Sequence, residues 1–594
     1  MTQNNLFKNR WIYVLAGIAG ILLINILDWS WLFEVTGRNI FNTVYMKMDN
    51  LGRYLNLYIK GSATVFILAV VSALAVHGTS AIKKLKSLKI PAEYILAAMV
   101  LIYVAVFSLM SYLKFSAFHA YHDMAANLEA LFNIYRTGLP LSTAEGSLYE
   151  LPVMNWFGIH FTPIIYLFAL VAFPFRFPGG IFVLQSLFLA SGAIPVFLIA
   201  RDVLKNKLIA LLFSAAYLLF PTIQYTNLYA FEFFRFATPL LLWAFFFLQK
   251  QKFGLVYLFV LLTLMTREDV APVIFIFGFY IFFAVKQRRF GGLVALTAVI
   301  YALLTQLFFR PFFCGQETDF VIKNVFGEFG KTPFQVVFYL LLHPFTALSL
   351  MLSPLKIYNV LLLLLPLGLL SLASPWHFVI ALAGMVIPLL APGIAQASIF
   401  LHKYAAAIPF LFIAAIFGFR NASLFLSKKI KKPEVSMSAY LLVCGLLCSF
   451  YFGPSPISRQ FWDSRYTLAD FRTHNFHYSY YKITPHTRIA REALDMIPKN
   501  AVVSAEHFFL PHLIDRGKLY TFPVMGRDVQ YILIDRKHPN KKPEFNPGSR
   551  SEETAMRFRR NPAPIYRELE RNWRFRRIFN NDGVELYQRK ERAR

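Results

Sequence analysis

Asp123 is the residue of this chain whose type and surroundings best suit it to chemistry. It stands in FHAYHDMAANLEALFNIYRTGLPLST, residues 118–143. That stretch packs His119, His122 and Asp123 into five positions just outside an apolar run, then continues as an amphipathic helix. A carboxylate at a water–lipid boundary could deprotonate a hydroxyl, or bind a divalent metal that holds a phosphate. His119 lies one helical turn earlier and could share that metal or phosphate, while His122 points elsewhere and reads as a surface residue. The plainer reading of Asp123 is a solvated charge at a helix start, worth only about 0.3–1 kcal/mol.

Other polar groups stand out against apolar surroundings. His160, in FGIHFTP, opens an apolar helix and could contact a phosphate or a hydroxyl, or simply cap that helix. In NLYAFEFFR, Glu232 and Arg235 are three apart, and the planar guanidinium fork of Arg235 matches phosphate oxygens. Arg267, Glu268 and Asp269 lie between two short apolar segments, where charges are costly unless they face water or one another. They either line a polar cavity or close a tight turn as an internal ion pair. His402, Lys403 and Tyr404 open a further apolar segment; His402 or Lys403 could bind pyrophosphate oxygens or snorkel to the interface.

What must position these residues is a membrane-spanning helical bundle. The 594 residues are 57% hydrophobic and only 15% charged, against about 25% charged in soluble domains. Long apolar runs recur, and the first, MTQNNLFKNRWIYVLAGIAGILLINIL, has a basic flank without a small-residue cleavage site, so it reads as a retained span. The formal charge of +28 lies largely in short clusters between spans: 83–89, 201–207, 250–252, 286–289 and 428–432. Such clusters mark cytoplasmic loops facing the lipid bilayer rather than nucleic acid. Three cysteines provide no disulfide framework.

With every basic cluster inside, the chain threads through about 13 spans, near 11–28, 61–78, 91–112, 180–200, 207–224, 236–249, 253–266, 270–286, 291–309, 357–373, 376–391, 399–418 and 438–452. Two more apolar stretches, 161–175 and 334–352, would break the charge pattern by crossing, so they are expected to lie in the outer interface. This threading puts Asp123, His160, 227–235, 266–269 and 402–404 at the same, extracytoplasmic face. The domains follow: an N-terminal hairpin (1–90), a transmembrane domain (91–452) with an outer loop (113–160), and an extracytoplasmic α/β domain (453–594). In the last, HTRIAREALDMIPKN reads as a helix, and AVVSA, KLYTF, VQYILID and GVELYQRK as strands.

Several pieces, taken in order, resemble a known group: HDMAANLEALFNIYRTGLPL, NWFGIHFTPIIYL, LQSLFLASGAIPVFLIARDVL, AAYLLFPTIQYTNLYAFE, TREDVAP, LHKYAAAIPFLF and VVSAEHFFLPHLIDRGKLYTFP. They resemble the membrane family catalogued as domain of unknown function 2079, over most of residues 118–540. That family looks like the GT-C superfamily of integral-membrane glycosyltransferases, which use polyprenyl-phosphate sugar donors and carry a key acidic residue in the first large outer loop. The family's usual Asp-Phe-His-Pro-Glu-like stretch reads Ala230, Phe231, Glu232, Phe233, Phe234 here, so its His and Glu are displaced.

The resemblance implies a mainly α, GT-C-like bundle in the cytoplasmic membrane that moves a sugar from a polyprenyl-phosphate carrier to an acceptor outside. Asp123 would be the base, or a metal ligand with His119. Arg235, Arg267 and His402 would contact phosphate, and His160, Glu232, Glu268 and Asp269 would supply the cavity's polar groups. A transporter or flippase of a lipid-linked intermediate, or a scaffold displaying residues 453–594, are the rival readings. No Walker A motif, dinucleotide fingerprint or HExxH is present, and no internal repeat of the kind common in carriers.

Overall fold

The structure is a computed structural model that describes residues 10–27, 48–76, 90–120, 122–148, 154–175, 178–314, 322, 325–466, 476–516, 518–524, 527–538 and 563–590. The basic cluster 83–89, residues 149–153 of the outer loop and residues 467–475 of the linker lie outside them. The described chain is mainly helical, with a small sheet near the C-terminus.

Among the described residues, six helices are long and apolar enough to cross a membrane: Asn56–Val76, Ala92–Ser116, Gly179–Leu204, Arg288–Cys314, Ile408–Ser427 and Pro433–Phe452. Two bent pairs bring the number to eight if each is one span: Lys207–Leu218 with Pro221–Leu228 (43°), and Pro333–Leu342 with Pro344–Met351 (100°). The count of about 13 is therefore not reached. Six of the expected spans are helices of 11 to 17 residues: Arg10–Ile26, Ala237–Gln249, Phe253–Leu264, Ala271–Phe283, Pro354–Leu364 and Pro375–Leu390. A 12-residue helix rises only about 18 Å, against roughly 30 Å of hydrocarbon. Apolar composition marks these segments, but turns and 3-10 breaks cut them short.

Packing between the helices relies on small residues as well as bulk. Helices Ala271–Phe283 and Arg288–Leu304 touch backbone to backbone, since a Cβ on Gly278 would fall 2.6 Å from Ala295 N and one on Gly291 2.5 Å from Phe282 N. Close approach of this kind substitutes for the hydrophobic drive that lipid removes. Helix Met48–Val76 joins the far end of the bundle, with Tyr58 stacked on Tyr358 and Phe452.

Short strands β1 (Leu141–Ser142) and β2 (Met154–Asn155) pair antiparallel, and near the C-terminus β3 (Val502–Ala505), β4 (Lys518–Thr521), β5 (Tyr531–Asp535), β6 (Phe575–Asn581) and β7 (Val584–Arg589) form a mixed sheet in the order β4-β3-β5-β7-β6. The β3 strand is parallel to β4 and β5, and β7 is antiparallel to β5 and β6. Alternation sorts the side chains onto two faces. Ile532, Ile534 and Tyr587 pack on Tyr566 and Leu569 of helix Ala563–Arg571. Leu533, Val503 and Leu586 instead share a core with Ala125, Leu128, Trp156 and Phe231, so the sheet packs against the described part of segment 113–160.

The β4 edge is closed by hydroxyls. Leu519 N–H donates to Thr143 Oγ1 (2.8 Å) and Thr521 N–H to Ser147 Oγ (3.0 Å), both on helix Thr143–Leu148. An edge strand otherwise leaves such donors unpaired. Glu129 is fully enclosed and fixes that helix in turn, accepting from Ser142 Oγ (2.8 Å), Thr143 Oγ1 and Ala144 N–H (3.0 Å).

A histidine clamps the sheet to its helix. His486, in the first turn of Pro485–Asp495, bridges Asp535 (2.7 Å) and Asp582 (2.8 Å). Burial alone would lower its pKa, but hydrogen bonds to the two carboxylates raise it above 6.5. A raised histidine pKa stabilises fully below the unfolded value and is lost as pH rises through the folded one. Hydrogen-exchange protection of helix Pro485–Asp495 should therefore fall as pH climbs above 6.5, and His486→Gln should flatten that dependence. An unchanged profile in the variant would assign the pH effect elsewhere.

Candidate functional site

Asp123 is placed by two elements far apart in sequence. It lies in the first turn of helix His122–Thr137, where the helix dipole favours a negative charge. Facing it, Tyr229 follows helix Pro221–Leu228 and donates its hydroxyl to Asp123 Oδ2. Helix Ala92–Ser116 holds Tyr229 in place: Lys114 Nζ donates to Leu228 O (2.9 Å), occupying a carbonyl that the helix end would leave free. Asp123 itself is half-buried. Burial, reinforced by the nearby Glu232 carboxylate, raises its pKa, and the Tyr229 hydrogen bond only partly opposes this.

Glu232 anchors a second tier. It is buried, 2.9 Å from His402 Nε2 and 3.7 Å from Arg267 Nη1. Burial works against its ionised form, but His402, Arg267 and Lys403 outweigh that and hold its carboxyl well below the ordinary value. On His402 burial wins, lowering the pKa to about 3 and leaving the imidazole neutral at physiological pH. Its Nε2–H then donates to Glu232, so the 3.1 Å approach of Arg267 Nη1 to the same nitrogen is a contact and not a hydrogen bond, and Nδ1 has no partner among the described residues. Arg267 forks onto Asp269 through Nε (2.7 Å) and Nη2, and its guanidinium lies 4.2 Å over the Phe234 ring.

Glu268 turns the other way from Arg267. It meets His160 Nδ1 (3.0 Å), accepts from Phe161 N–H (2.9 Å) and lies 3.9 Å from Arg310 Nη1. Its carboxyl is also lowered, as His160 and Arg310 overcome burial. Within the Arg-Glu-Asp trio, Arg267–Asp269 is an internal pair, and Glu268 ties His160 to the same turn.

Arg235 is the anomaly. Its side chain is fully enclosed, and none of its three guanidinium nitrogens has a hydrogen-bond partner among the described residues. It does not ion-pair with Glu232, three residues earlier; that carboxylate is taken by His402 and Arg267. A buried, unsatisfied guanidinium is costly, so such a group calls for an anion or water.

One sequence reading is corrected. His122 is not a surface residue: it is buried and pairs with Glu145 (2.9 Å), because helix Thr143–Leu148 and β4 cover it. The metal set proposed for Asp123 and His119 lacks members. His119 stacks on Tyr480 and His538, and among the described residues no three His, Cys, Asp or Glu side chains gather as metal ligands. Sequence reasoning passed over Tyr229 and Arg310, which nothing local distinguishes.

Asp123, Tyr229, Glu232, His402, Arg267, Asp269, Glu268 and His160 form one chain of direct contacts and neighbouring charges. The larger described cavity, about 500 Å³, lies elsewhere, lined by Leu131, Phe132, Ala172 and His512 among others. A cavity of about 10 Å³ touches Tyr229 and Lys114.

Fold and site together define a polytopic helical membrane protein with a buried network of ionisable groups. Residues 115–561 match the family described as predicted membrane protein (DUF2079), and the chain belongs to that family. No curated protein matches it.

Proposed function

We propose that the protein is a GT-C-like glycosyltransferase of the cytoplasmic membrane, transferring a sugar from a polyprenyl-phosphate donor to an acceptor on the outer face. The observation that carries this reading is the pairing of Asp123 with under-satisfied cationic and imidazole groups. Asp123 is half-buried with a raised pKa, as a general base working near neutral pH requires. Near Tyr229, which binds it, are Arg235, unpaired at all three nitrogens, and His402, unpaired at Nδ1. Phosphate oxygens would satisfy Arg235, a donor hydroxyl of the acceptor would satisfy the bare Nδ1 of His402, and Arg267 would keep Glu232 and Asp269 in place around them. His160 and Glu268 would orient the acceptor. On this reading residues 1–90 form a hairpin, 91–452 the catalytic bundle, and 453–594 an outer α/β domain. The test is sugar transfer in membranes supplied with radiolabelled polyprenyl-phosphate sugars; absence of transfer from the whole donor panel would overturn it.

One feature favours a carrier instead. The span Lys207–Leu218 with Pro221–Leu228 is bent by 43° and ends at Tyr229, and broken helices at a polar site are a habit of transporters. Translocation of a labelled lipid-linked sugar without transfer would select that reading.

Orientation follows from the basic loops. The native cysteines are buried, so engineered ones report cleanly. In intact cells an impermeant thiol reagent should label Lys537→Cys at once and Ile430→Cys only after permeabilisation. The reverse pattern would invert the topology and put the Asp123 network on the cytoplasmic face.

A further inference from the structure

The 500 Å³ cavity is a separate feature from the Asp123 network. Leu131, Phe132 and Tyr135 of helix His122–Thr137 form one wall. Ala172 and Phe173 at the end of helix Ile164–Ala172 form another, and His512 closes the inner side. Leu131 lies eight residues beyond Asp123, about 12 Å along the helix.

Three observations identify its occupant. Helix Ile164–Ala172 turns a greasy face outward: Leu170 is 76% exposed and Phe173 73%, with Leu167 and Val171 beside them. Such a face belongs against lipid, and Phe173 both borders it and lines the cavity. The walls are therefore continuous with surface that hydrocarbon covers. Second, the cavity's size is that of a site for one small ligand, suited to a single chain. Third, His512 is more than nine-tenths buried, wedged against Phe115 and Phe118, and its ring nitrogens have no well-aligned hydrogen bond among the described residues, only a weak approach to the Phe115 backbone.

The polar groups separate one class of lipid from another. A phosphate calls for cations, but the lining includes Asp515 and no Lys or Arg, and Arg136, next to Tyr135 in sequence, already donates to the carbonyls of Asp515 (2.6 Å) and Arg516 (3.0 Å). Burial keeps the His512 imidazole neutral. A neutral N–H matches an uncharged acceptor such as an ester carbonyl. We propose that this cavity holds one acyl chain of a bilayer phospholipid, whose ester carbonyl accepts a hydrogen bond from His512. The lipid would pin helix His122–Thr137, and with it Asp123, to the membrane surface. This assignment stands apart from the transfer reaction.

The test uses the full chain in phospholipid nanodiscs carrying a diazirine on the acyl chain, with adducts mapped by peptide mass spectrometry. Adducts are expected at 131–135 and 172–173 as well as on the outward face at Leu167 and Leu170. Ala172→Trp, which fills the cavity, should abolish those at 131–135 and leave those at Leu167 and Leu170. His512→Phe keeps the ring packing and removes the hydrogen bond, so cavity adducts should fall about 2- to 10-fold. Adducts confined to the outward face in the unaltered protein would mean annular lipid only and overturn the proposal. Labelling of 131–135 by a photoactivatable polyprenyl phosphate, without labelling by the phospholipid, would overturn it as well.

Discussion

Asp123→Asn should lower sugar transfer by about 10²- to 10⁴-fold, the contribution of a positioned general base, or roughly 2.7–5.5 kcal/mol of barrier. The change keeps shape and an oxygen that can accept from Tyr229, so the hydrogen bond seen at Asp123 Oδ2 has a replacement. Stability should move the opposite way to activity. A carboxyl whose pKa is raised in the folded state opposes folding once pH exceeds its unfolded value of about 3.8, because the ionised form is the less favoured one. Removing that charge should leave thermal stability at neutral pH equal or slightly higher. Such a trade, activity lost while stability is kept, distinguishes a working group from a structural one. The readout is initial transfer rate against detergent-solubilised unfolding midpoint, with expression matched. Poor accumulation of the variant would make Asp123 structural; unchanged transfer would move the chemistry to Glu232 or Glu268.

The sequence made the class and the helical segments legible because lipid imposes a strong, local signal: apolar runs flanked by Lys and Arg. It could not show where those runs break. Helix Phe253–Leu264 is apolar throughout yet only 12 residues long, and the break at Met265–Arg267 comes from the polar turn that Glu268 and Asp269 build. The site was legible as a set of residues and illegible as a set of contacts. Asp123 and Tyr229 are 106 residues apart, Arg267 and His402 135 apart. No periodicity links positions so distant, and His122 looked exposed because its cover arrives from β4, 399 residues later. The β6 strand was missed for a different reason. FRRIFNN, at the sheet edge, is largely exposed and basic, so it lacks the alternation by which strands are recognised.

Glu232→Ala should be the most destabilising single change in the network. Its carboxylate is shared by His402 at 2.9 Å and Arg267 at 3.7 Å, in a site where neither Glu232 nor Arg267 is more than a tenth exposed. Removing one member of a buried ion pair costs about 3–5 kcal/mol, mostly through the charge left behind. Arg267 would retain Asp269, which argues for the lower part of that range. Lys403 and Arg235 would lose the nearest carboxylate that supports their charge. Glu232→Gln separates the two components, since the amide oxygen can still accept from His402 while the charge is gone. Its loss should fall between those of the wild type and Glu232→Ala. The pH dependence carries the opposite sign to that of Asp123: with a depressed pKa, the contribution of Glu232 is complete above about 4.5 and is lost as pH falls through the folded value. Unfolding midpoints in detergent at pH 7 and pH 4 check both statements. If Glu232→Gln were as stable as the wild type, the charge would contribute nothing and Arg267 would be held by Asp269 alone.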